Sequence, residues 1–100
     1  ADLAAETDPL WINDDDHVRA WVNAHPDHAI AGLSSTSKLK AIRTLMGGYI
    51  SDDDVAAIIQ ICKCVQSKPE AVTIRNGIDL TDFYSIGQRQ RVRMAMDKMP

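Results

Sequence analysis

The chain has 100 residues, a formal charge of −3, 45% hydrophobic residues and 25% charged residues. That length holds one core and no useful second one. The composition excludes intrinsic disorder, and no apolar run reaches the roughly 18 to 20 residues that cross a bilayer. A net acidic balance argues against general nucleic-acid binding, which needs a basic field.

Charge is laid out in blocks. Residues 1–33 carry seven acids against Arg19 alone, and residues 34–50 carry Lys38, Lys40 and Arg43 with no acid. Asp52, Asp53 and Asp54 follow, and the last segment is basic again. Residues 1–12 read as a polar lead-in with no basic or apolar targeting pattern. Residues 13–100 read as a single helical domain.

The first helix is expected in "NDDDHVRAWVNAH". Asn13 or Asp14 caps it, and the aspartates of its first turn complement the positive end of the helix dipole. Val18, Trp21, Val22 and His25 share one face. Pro26 stops this helix and opens a short second one that turns Ile30 and Leu33 inward. Ser35 to Ser37 offer caps for a third, with Leu39, Ile42 and Met46 facing the core and Leu45 beside them. Gly47 and Gly48 end it.

Ser51 and Asp54 have capping-box spacing. The helix they open spreads Val55, Ile58, Ile59, Ile61, Cys62 and Val65 over more than half its circumference, which marks it as the most buried. Residues 69–80 admit two readings. Pro69 suits a first helical turn, with Gly77 as a left-handed residue after the end and Ile78 as its apolar follower. The Asn76-Gly77 pair also suits a small β-hairpin near residues 72–80. The helix is the preferred reading. Ser85 and Gln88 fit a second capping box, and the last helix puts Val92, Ala95, Met96 and Met99 on one face. The fold expected is all-α, a compact bundle of five or six short helices.

Catalytic and metal motifs are absent from the sequence. Cys62 and Cys64 lie two apart, so on a helix they point about 200° away from each other and cannot pair. They read as reduced core thiols of an intracellular, cytoplasmic protein. His25 and His28 are separated by the helix-breaking Pro26. The acidic clusters lack the glycine and glutamate of a calcium loop, and helix capping explains them. No nucleophile elbow or phosphate-binding loop occurs. No enzyme, cofactor, metal or membrane partner is expected.

The remaining candidate is binding. Arg89 and Arg93 flank one side of the last helix's apolar face and Arg91 the other, with Met94 turned outward. A basic partner-binding surface of Arg89, Arg91, Arg93, Met94, Lys38, Lys40 and Arg43 is expected. An acidic one of Asp14, Asp15, Asp16, Asp52, Asp53 and Asp54 is its complement. A protein partner or self-association through these surfaces comes first. Nucleic acid comes second, through Lys38, Lys40 and Arg43 if their helix packs beside the last one, but aromatic residues suited to base stacking are few.

Two stretches, "LWINDDDHVRAWV" and "SIGQRQRVRMAM", resemble the first and last helices of the SAM domain, a helical interaction module. The resemblance covers about 25 residues, Leu10 to Val22 and Ser85 to Met96. It implies copies joined head to tail through the last helix and a mid-domain surface. The stretch between the two segments is longer than that family allows, and the Trp11 to Trp21 spacing is wider.

Overall fold

A computed structural model describes residues 14–100, and the polar lead-in and Trp11 lie outside them. Among these described residues six α-helices follow one another: α1 Asp15–Ala24, α2 Asp27–Ala31, α3 Ser35–Leu45, α4 Asp52–Lys63, α5 Lys68–Gly77 and α6 Ile86–Asp97. A single 3-10 turn, Leu80–Asp82, precedes α6, and no strand occurs among the described residues. The hairpin reading of 72–80 is therefore corrected: residues 72–77 are the end of α5, and Leu80 already belongs to the 3-10 turn.

Local chemistry sets most helix starts. Asp14, in extended backbone, accepts from the amides of Asp16 and His17 and so caps α1. Ser51 and Asp54 form the full reciprocal capping box at α4. Ser67 caps α5, with Pro69 in its first turn. The cap of α3 is Ser34, one residue before the expected serines. At α6 only half of the expected box forms. Ser85 Oγ accepts from the Gln88 amide, but the Gln88 side chain turns away into the core.

The core runs through every helix. Val18, Ile30, Ile42, Leu45, Val55, Ile58, Ile74, Phe83 and Val92 are all fully buried. Helix α4 is the hub: it packs on α1, α3 and α6, and α2 touches it. Helix α3 packs on α1, α4 and α5, whereas α6 packs on α4 and the 3-10 turn. No helix among the described residues is long and apolar enough to cross a membrane.

The inward face of α3 differs from the expected one. Lys38, Ala41, Ile42 and Leu45 are buried, while Leu39 and Met46 are only partly so. Lysine occupies a core position because Glu70 of α5 meets it there. The reading of Gly77 is also corrected. Its φ is not positive; Gly48 alone among the described residues takes the left-handed region, at φ 69°. Gly77 is instead the last residue of α5, where an added Cβ would collide with the side chain of Leu39. The glycine lets α5 approach α3.

Candidate functional site

Helices α4 and α6 lie side by side and point the same way. At their starts, Gln88 Nε2 donates to the Ile50 carbonyl and to Asp52 Oδ1, each at 3.1 Å. At their ends, Ile59, Cys62, Val65, Met94, Ala95 and Met99 line one shared groove of about 500 Å³. A twelve-residue helix such as α4 is about 18 Å long, so this separates two ends of the molecule by that distance.

The groove end is cationic. Lys63, Arg91 and Lys98 also line the groove, and no acidic side chain does. Arg91, Met94, Ala95 and Lys98 fall at i, i+3, i+4 and i+7, which puts them on one stripe of α6. Among the described residues, Lys63, Arg91 and Lys98 take part in no ion pair. Met94 is 58% exposed. The stripe is well supported from behind. Arg75 of α5 donates from Nη2 to the carbonyls of Met96 (2.8 Å) and Met99 (3.3 Å) and so ties the end of α6 to α5, adding to the backbone bonds that the Met96 carbonyl already accepts from the amides of Lys98 and Met99.

The opposite end is acidic. Arg19 of α1 donates to Asp54 at 2.5 Å and to Asp16, with Asp15 at 4.0 Å, and so draws the starts of α1 and α4 together. These partners raise the Arg19 pKa, the Asp54 hydrogen bond first. Asp14 to Asp16 have carboxylate oxygens within 4.8 Å of one another. Capping and Arg19 account for that cluster. Asp52 and Asp53 stay on the surface at the α4 start. Exposed apolar residues stand at this end too: Tyr49 just before α4, and Tyr84 and Ile86 around the α6 cap.

Several expected site residues go elsewhere. Lys38, placed with a basic surface, is fully buried. Its Nζ donates to the Ala31 carbonyl at 2.8 Å and to Glu70 Oε1 at 2.5 Å. A buried charge needs such pairing, and Glu70 also accepts from Ser35 Oγ and the Gln66 amide. Burial opposes ionisation of Glu70, but the hydrogen bonds from Lys38 and Ser35 and the Lys38 charge outweigh it and hold its carboxyl below the usual range. Asp54, expected on the acidic surface, is likewise buried, because it closes the capping box and takes Arg19.

Arg89 reaches back to the Phe83 carbonyl at 3.1 Å, away from the groove. Arg93 is exposed off the groove stripe, and Lys40 and Arg43 are exposed on α3. The structure thus unites Arg91 and Met94 with Lys63 and Lys98, two lysines that sequence reasoning did not select. Both sit at helix C-terminal ends, where cations complement the dipole, and that was the signal available.

The cysteines offer little chemistry. Both are free and buried. Burial, with a smaller contribution from Cys64, pushes the Cys62 thiol up to about 12. Burial and then Asp27 raise Cys64 as well. Neither supplies a thiolate near neutrality. His25 stacks on Trp21, ring centroids 4.0 Å apart, with Nδ1 2.8 Å from the Trp21 carbonyl oxygen. No family model matches the chain, the SAM domain included, and neither a curated protein nor a solved structure matches it.

Proposed function

We propose that the chain is a non-catalytic interaction module whose groove at the α4–α6 end binds an acidic, partly apolar surface of another protein. One observation carries this reading: Lys63, Arg91 and Lys98 surround a methionine-lined groove and take no acidic partner among the described residues. Methionine adapts to varied apolar shapes, and arginine is enriched where proteins meet. The groove walls are helices whose backbone groups are already used. An occupant must therefore satisfy its own backbone, which an amphipathic helix does. Nucleic acid is a weaker fit. Helices α3 and α6 are not principal packing partners, so their cations do not pool, and the exposed Tyr49 and Tyr84 stand at the α4 and α6 starts, the acidic end.

The test is a fluorescence-anisotropy titration with labelled synthetic helices bearing leucine anchors at i, i+3, i+4 and i+7 and glutamates on both flanks. The expected result is salt-sensitive binding at least about tenfold tighter than to scrambled peptides of equal composition, a difference of about 1.4 kcal/mol. Arg91→Glu with Lys98→Glu should abolish it. Equal binding of ordered and scrambled peptides, or an intact response in the charge-reversed variant, would overturn the reading.

A further inference from the structure

We infer that the occupant of the groove is the acidic end of a second copy of this chain, added head to tail. The inference rests on the groove reading above and names its partner. Three features of the acidic end match what the groove demands.

The first is charge. Asp52 and Asp53 stand exposed at the α4 start, opposite in sign to Lys63, Arg91 and Lys98. The second is apolar projection. Tyr84 is 83%, Tyr49 77% and Ile86 68% exposed, and these are the largest exposed apolar side chains apart from Val72 and Met94 among the described residues. Tyrosine buries much area at low entropic cost and keeps its hydroxyl wet, which suits a half-open groove. The third is position. Gln88 fastens the α6 start to Ile50 and Asp52, so the tyrosines and the aspartates belong to one end of the α4–α6 pair and the groove to the other.

Charge also excludes a two-fold dimer centred on either end. Such a dimer would set one patch against itself. Groove against groove brings three cations onto three cations; acidic end against acidic end repels in the same way. The opposed ends satisfy each other either in a heterologous contact, which continues into rings or filaments, or in an antiparallel pair that makes both contacts at once, and a mass above twice that of the chain selects the first. Arg89 lies toward the acidic end but is drawn back to Phe83, and Asp97 lies on α6 without lining the groove. Neither reverses the polarity.

The experiment is light scattering across protein concentration and salt. The expected result is a mass that rises from the chain mass of 11.0 kDa with concentration, to more than twice that value, and falls back with salt, whereas a mass that stops at twice the chain would overturn head-to-tail addition. Two surface variants then fix the direction. Asp53→Lys with Tyr84→Ser blocks the acidic end; Arg91→Glu with Met94→Glu blocks the groove. Each should be monomeric alone, with unchanged circular dichroism and melting temperature, and mixing them should give a 1:1 pair that grows no further. A chain monomeric at every concentration would overturn the inference, as would variants that still self-associate. A chain that stays monomeric yet binds the acidic peptides loses the second copy and keeps the groove; one that does neither loses both.

Discussion

The buried pair of Lys38 and Glu70 is where a single residue matters most. Lys38 has no contact with water, and Glu70 is its only counter-charge among the described residues. Glu70→Gln should cost about 3–5 kcal/mol, because it strands a buried ammonium. Adding Lys38→Met should recover much of that loss, since the introduced carboxamide can accept from the Gln66 amide through its oxygen and donate from its NH2 to Ser35 Oγ. Urea unfolding of the single and double variants measures both. The pair also sets a pH dependence. The folded pKa of Glu70 is lowered, so its stabilisation is complete above the unfolded value of about 4.3 and lost as pH falls through the folded one. Melting temperature against pH should show this acid limb in the wild type and lose it in Glu70→Gln. The sequence hides the pair because its members stand 32 positions apart. A lysine at a core position looks like a surface lysine until its carboxylate is found. The same blind spot rotated the expected face of α3 toward Leu39 and Met46.

At the scale of elements, what was local was legible. Asp14, Ser51 and Ser85 all cap the helices that follow them, since a cap needs only residues within one turn. Where a tertiary partner competes, the local reading fails. Gln88 gives up its share of the second capping box to reach Ile50 and Asp52, 36 to 38 positions away. Gly77 shows the same rule more sharply. Its neighbour Asn76 suggests a turn, yet its smallness serves the contact with Leu39 on α3. Gly77→Ala should cost about 1–3 kcal/mol through overpacking, even though alanine favours helix. Leu39→Ala in the same chain should remove most of that cost, so the double-mutant cycle should show strong coupling. If Gly77→Ala is neutral, the close approach does not explain the glycine.

At the scale of the molecule, the sequence disclosed charge blocks but not their arrangement. Lys38, Lys40 and Arg43 looked like partners of the arginines on α6, and the fold separates them. Lys38 is drawn inside by Glu70, and α6 turns to α4 instead of α3. Lys63 and Lys98 entered the groove because α4 and α6 run parallel, a relation fixed by Gln88 and the buried face of Val92, Ala95 and Met96. Nothing in the spacing of charged residues encodes that direction. Yet direction makes one end cationic and the other acidic, and this polarity is what the proposed head-to-tail addition of copies would use.

Arg75 has a consequence for timing. By holding the carbonyls of Met96 and Met99, it makes the last turn of α6 depend on α5. One wall of the groove is therefore unable to fray independently. The amides of that turn should exchange with solvent at the pace of α5, as one cooperative unit. Arg75→Ala should release them to exchange faster while the amides of α1 keep their rates, which hydrogen–deuterium exchange resolves segment by segment. On the proposed reading, an end that is slow to open would hold its partner longer, and the lifetime of the complex would be set partly by a residue that never touches it.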